Sequence, residues 1–253
     1  MKKTFFRISI ILLCGCGSNE KNDPDITKIA VDKNIDNQKI VHEISAEKKP
    51  LKTNIVQIGP NVFLEIQGEK RTVVVSSKVV RREGFLELLL CREKTKEHES
   101  ILAASVDARD LHQAMLSAGL KPGNPVQFQP EYKPATGVPL DIKLRYIDPS
   151  GNNQIVPARE WVKKSMTNKT LEATWVFAGS RLVPNTIDSK SPPYFLANDG
   201  DLISISNFES ALIDVSVKIS SANSDLGYEP MTEKIPKLGT NVAILIEAKD
   251  KKP

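Results

Sequence analysis

The sequence predicts an α+β domain in which strands dominate: a mostly antiparallel single domain with one clear helix and a candidate second, shorter one. Three observations carry this. Leu140-Asp-Ile-Lys-Leu-Arg-Tyr146 alternates apolar and polar residues without a break, the period-2 pattern of a strand with one buried face. Apolar runs of strand length recur along the chain. Only one stretch, Leu111, Ala114, Met115 and Ala118, repeats at clear helical spacing. The region holding these patterns, residues 51–249, has roughly 200 residues, the length of one domain.

Taken in order, Val73–Val75 and Phe85–Leu90 are the first strand candidates. Asp107 is placed to cap the helix, Gly119 to end it, and Pro122 follows. After the alternating strand, Asp148-Pro-Ser-Gly-Asn152 has the residues of a reversing turn. Ala158-Arg-Glu-Trp-Val-Lys163 is the candidate second helix. Leu171–Ala178, Tyr194–Ala197, Leu202–Ser206, Ala211–Val217 and Asn241–Glu247 are further strands. Asn198-Asp-Gly-Asp201 reads as a hairpin turn, because Asp-Gly tolerates the positive φ of a type I′ turn. Trp161 and Trp175 are expected core anchors.

The N-terminus addresses the protein. Lys2, Lys3 and Arg7 precede an apolar stretch, Ile8–Leu13, as in a bacterial secretory signal. Leu13-Cys14-Gly15-Cys16 then resembles a lipobox, with an aliphatic residue three before and a small residue just before Cys16. Bulky Leu13 makes Cys14 the worse candidate. The expectation is a lipoprotein signal peptide over 1–16, with Cys16 lipidated and holding the protein to a membrane it does not span. Each buried acyl CH₂ contributes about 0.8 kcal/mol. Gly17, where an aspartate would favour retention at the inner membrane, favours the outer membrane and a periplasm-facing domain. Residues 17–50 are rich in Lys, Asn, Asp and Glu and lack aromatics, the composition of a polar tether. A coil of that length reaches roughly 30 Å. Lys-Ile-Ala-Val-Asp and Lys-Ile-Val-His-Glu-Ile within it are the competing short strands.

Charge and cysteine usage exclude two classes. The leader holds three of the 35 Lys and Arg and none of the 31 Asp and Glu, leaving the mature chain at +1. That is no footprint for nucleic acid. Of three cysteines, Cys14 leaves with the leader and Cys16 becomes a thioether. Cys91 is then the only thiol of the mature chain, so an intramolecular disulfide has no second partner.

Leu88–Ser100, LLLCREKTKEHES, concentrates the chemistry-bearing residues. Cys91 as nucleophile would need His98 as base, Glu97 or Glu99 to orient it, and Lys96 to lower the thiol pKa. Cys91, His98 and a glutamate, completed by His112, would instead offer S, N and O donors to zinc or copper. His42 lies in the tether, and no CxxC, HxH or HxxxH motif occurs. The competing reading makes Cys91 a small buried residue at a strand end, with Lys94–Glu99 a solvated turn. Asp199 and Asp201 fall short of the six to eight oxygens Ca²⁺ takes. Ser180 lacks the second glycine of a GxSxG elbow. These counts predict no cofactor.

Gly84–Leu102 (GFLELLLCREKTKEHESIL) resembles the signature of the YdjY-type domain of bacterial exported proteins. LHQAMLSAGLKPGNPV (Leu111–Val126), ATWVFAGS (Ala173–Ser180), YFLANDGDLISISNF (Tyr194–Phe208) and IPKLGTNVAILI (Ile235–Ile246) are similar in turn. The resemblance covers about Leu51–Ile246 and places Cys91, Lys96, Glu97, His98 and Glu99 on the family's own motif. It implies an exported or lipid-anchored domain with no established activity. The ferredoxin-type label of some relatives implies an iron–sulfur cluster, which wants about four cysteine ligands where Cys91 stands alone. The expected function is a binding or accessory module of the cell envelope, with another envelope protein or a small ligand as partner. The alternative is a Cys91/His98 centre that binds metal or hydrolyses through the thiol.

Overall fold

The computed structural model describes residues 52–250 apart from 168, 185–189 and 220–226. The signal peptide, Cys14, the lipidation site Cys16, the tether over 17–50 and His42 lie outside the described residues.

The chain opens with β1 (Asn54–Gly59), β2 (Val62–Gln67) and the long β3 (Lys70–Val79), a meander of antiparallel neighbours. β4 (Leu88–Arg92) and β5 (Ser100–Ala104) precede helix α1 (Ala108–Ser117). β6 (Pro139–Ile147) and β7 (Asn153–Pro157) form a hairpin, and β8 (Val162–Lys164) and β9 (Trp175–Phe177) follow. Two-residue strands β10 (Leu182–Val183) and β11 (Tyr194–Phe195) pair with each other. β12 (Asp201–Ser204), β13 (Ile213–Val215), β14 (Tyr228–Pro230) and β15 (Asn241–Ala248) complete the order.

Eight strands close on themselves in the order β3-β15-β6-β9-β13-β12-β4-β5, and β5 returns to β3. β1 and β2 extend from β3, and β7 from β6. Closure gives the barrel strands a partner on each side, and an eight-stranded barrel is just wide enough for side chains to fill. The filling follows the register. Ile244 of β15 lies between Val75 and Leu144, and Ile246 lies between Val73 and Ile142. Leu140, Trp175 and Val215 continue the ring, as do Phe177, Ile213 and Ile203. All are buried. The Trp175 indole donates to the Ser204 carbonyl at 2.7 Å, which satisfies its one polar atom inside the core.

The strict alternation of β6 places Leu140, Ile142 and Leu144 inside, as its period requires. Asp148 accepts the amides of Ser150 and Asn152 at 2.9 Å and so fixes the turn into β7. In α1 the Asp107 carboxylate accepts the Arg109 amide at 2.8 Å, the expected cap. Gly119 at φ 84 lets Leu120 donate back to the Met115 carbonyl, a Schellman ending. Leu111, Ala114 and Met115 are buried, and the helix packs across β1, β2 and β3.

Two expectations need correction. The second helix does not form: Ala158–Trp161 is a 3-10 turn that leads straight into β8. Ala158 and Trp161 are its buried residues, and an i, i+3 pair suits a single tight turn as well as a helix. Asn198-Asp-Gly-Asp201 is not a hairpin, because β11 pairs with β10 whereas β12 pairs with β4 and β13. Leu196–Asp199 is a 3-10 turn, and Gly200 at φ 128 redirects the chain. As expected, antiparallel pairs predominate; β4–β5 and β12–β13 are the parallel pairs among the described strands.

Candidate functional site

The motif stretch is built around the first of those parallel pairs. Leu88 sits opposite Ser100 and Arg92 opposite Ala104. The chain must therefore run back along β4, about 13 Å at strand rise, within residues 93–99. Parallel neighbours ordinarily need a connection of a dozen or more residues. This short return explains the local chemistry. Lys94 takes a positive φ of 64° to start the reversal. Thr95 Oγ1 donates to the Arg92 carbonyl at 2.5 Å, and Glu97 accepts the Lys94 amide. Glu97–Glu99 form one 3-10 turn, from which Ser100 enters β5.

Lys96 anchors the return. Its ammonium lies 2.8 Å from Asp201 Oδ1, 3.8 Å from Glu99 and 4.6 Å from the centroid of Phe208. Ser210 Oγ donates to the other Asp201 oxygen, so both oxygens of this buried carboxylate are partnered. Burial opposes the charge on Lys96, but the bond to Asp201 outweighs it and holds the ammonium above its ordinary pKa. Burial, then the Glu87 charge, raises the Glu99 carboxyl. Gly200 completes the fit, since a Cβ there would stand 2.5 Å from Thr95 Oγ1.

The predicted site residues fall in three places. Cys91 is fully buried with Leu88 and Ala103, under Val80 and Phe208. Burial pushes its thiol up to about 11, although Ser100 donates toward it. A thiol so placed is overwhelmingly protonated at neutral pH. His98 points outward with a side chain 74% exposed, and its nearest carboxylate is Glu99 at 3.7 Å. His112 is on α1, edge-on to the rings of Phe177 and Phe195 at 5.2 and 5.7 Å, and burial lowers its pKa. Glu97 is spent on the return itself. Among the described residues, no group of three or more His, Cys, Asp or Glu side chains is placed to hold a metal ion. Ser180, at φ 56, donates to the Ser210 carbonyl and accepts the Ala197 amide.

Sequence reasoning missed what ties the motif to the rest of the barrel. Asn198 accepts the Ala108 amide at 2.8 Å and donates to Asp107 at 3.1 Å, so the turn before β12 also caps α1. Asp201 is the receptor for Lys96 rather than a turn residue. A lone acid inside the apolar run Ala211–Val217, Asp214, is wholly buried; its position in that run was the available signal. Beside the return lies a pocket of 350 Å³ walled by Arg92, Glu93, Lys94, Ser105, Asp107 and Asp110, among others. Its charges are mixed.

The YdjY domain family model matches residues 64–247 of the chain, from β2 into β15. No curated protein and no solved structure matches it.

Proposed function

The chain belongs to the YdjY domain family, and on that premise we propose that it is a lipid-anchored cell-envelope protein whose barrel works by binding rather than turnover. The N-terminal leader and lipobox support attachment through Cys16, and Gly17 supports the outer membrane with the barrel facing the periplasm. Among the described residues no helix is long and apolar enough to cross a membrane; a lipid anchor requires none. The partner in this reading is another envelope protein or a small ligand. It meets the mixed-charge pocket where the motif's outward residues, Arg92, Glu93 and Lys94, face the start of α1.

One observation carries the binding reading: the domain's only thiol is fully buried in a small cluster of its own while the motif's histidine points to solvent. A cysteine hydrolase needs an accessible thiolate with a base in reach, and a thiolate metal site needs the ligands to converge. The test is the pH dependence of Cys91 alkylation in the folded protein, with and without chelator. Binding predicts negligible reaction below about pH 9, given an unperturbed thiol near 8.5, and no change on chelation. Half-reaction below pH 7, or protection that chelator removes, would replace binding with chemistry at Cys91.

A further inference from the structure

The second parallel pair, β12–β13, also has a short connection, residues 205–212. Asn207 fastens it. The Asn207 side chain donates to Asp214 Oδ1 at 3.3 Å and to the Val215 carbonyl at 3.0 Å. Its own oxygen accepts the Ile219 amide at 2.7 Å, and its backbone amide donates to the Ile219 carbonyl. Asp214 Oδ1 also accepts the Val215 amide at 2.7 Å. The Phe208 backbone amide also favours the charged carboxylate, but Asp214 Oδ2 makes no well-formed hydrogen bond with any described residue although the side chain is fully buried.

A cover packs beside it. Residues 122–138 cross the outside of β9, where Val126 and Ala135 pack with Val176 and Ala178, and Tyr132 joins them. Val176 is the register partner of Asp214. The cover is pinned to itself by reciprocal amide bonds between Gln127 and Lys133 at 3.0 and 2.8 Å. The Tyr132 hydroxyl is buried, also lacks a partner, and feels the Asp214 charge. Two buried oxygens without hydrogen-bond partners thus lie on either side of the interface of cover and barrel, close enough for the charge of one to act on the other. Among the described residues the other charged groups nearby are Asp201 from β12, itself paired with Lys96, and Lys218, whose ammonium lies 5.0 Å from the Tyr132 ring centroid. β9 presents Val176, which is uncharged.

We infer that Asp214 is a proton-controlled latch, holding the cover over 122–138 and the return over 205–212 onto the barrel when protonated and loosening them when ionised. A buried neutral carboxyl tolerates a poorly bonded oxygen far better than a buried carboxylate does. Opening the cover supplies water to Oδ2 and relieves the charge. Burial raises the Asp214 carboxyl to about 7, so a protein facing the periplasm would work across the transition.

Hydrogen exchange in the full-length chain tests this, read at the Lys133 and Ile219 amides and corrected for intrinsic rates. Between pH 6 and 8 the opening should rise about tenfold in the wild type and then level off, since opening gains a factor of ten per unit only until pH passes the closed-state pKa. It should stay flat in Asp214→Asn, whose neutral amide keeps the shape. A carbon-13 titration of the wild-type Asp214 carboxyl should show a midpoint near the same pH. A midpoint near 4, or a midpoint near 7 without faster opening, overturns the latch. So does an identical rise in Asp214→Asn.

Discussion

Two short returns lie side by side on this barrel, and the same residue type secures them in opposite ways. Residues 93–99 connect β4 to β5 and are held by Asp201 through a lysine. Residues 205–212 connect β12 to β13 and are held by Asp214 through an asparagine. Both carboxylates are buried, at 2% and 0% exposure. Asp201 has a cation on one oxygen and a hydroxyl on the other. Asp214 has only neutral donors, and one of its oxygens makes no well-formed hydrogen bond with any described residue. Burial costs both the same kind of solvation; the partner decides whether charge is retained. The first return is built to stay closed, whereas the second is responsive to protons.

The largest expected effect comes from removing the cation at the first return. Lys96→Ala leaves Asp201 buried without its counter-charge and should cost about 3 kcal/mol or more in urea unfolding. A loss under about 1 kcal/mol would show that Ser210 and solvent suffice, and the contrast between the two returns would disappear.

The second expectation sharpens the contrast through pH. Asp214 has a folded value raised to about 7, against about 3.9 in an unfolded chain. The folded state therefore binds the proton more tightly, and stability is fully present below pH 4 and falls as pH rises to about 7, then levels off. The loss attributable to this group is about 4 kcal/mol. Asp214→Asn should remove that slope and be the more stable protein at pH 8. Equal slopes in urea titrations of the two proteins would mean Asp214 is already ionised when folded.

The smallest effect is expected at the residue that looked most chemical. His98→Ala removes an exposed ring near Glu99 and should change stability in urea unfolding by less than about 0.5 kcal/mol. A larger destabilisation would assign His98 a role in closing the first return.

How far these features were readable from the chain depends on how local their causes are. β6, α1 and β15 announced themselves because a strand's alternation or a helix's cap and spacing sits within ten residues. The motif was also visible as a concentration of reactive types. Its meaning was not, because it depends on Leu88 lying opposite Ser100 in parallel and on Asp201 arriving from 105 residues away. Closure of the barrel rests on similarly distant pairings, such as Cys91 with Asp201 and Ile213 with Phe177. Ala158–Lys163 misled for a different reason: a buried pair three apart fits a 3-10 turn and a helix equally. Asp-Gly at 199–200 signals a turn correctly, but a turn is not evidence that the strands beside it pair.

Above all, the LLLCREKTKEHES stretch builds a return rather than a reactive centre. Alkylation of Cys91 at pH 8 as a function of urea tests it most directly. A thiol sealed under Val80 and Phe208 reacts only in the unfolded chain, so its rate should climb with urea at the slope of global unfolding. A rate already fast in native buffer and indifferent to urea would contradict the claim, and would make Cys91 an accessible thiol with chemistry to perform.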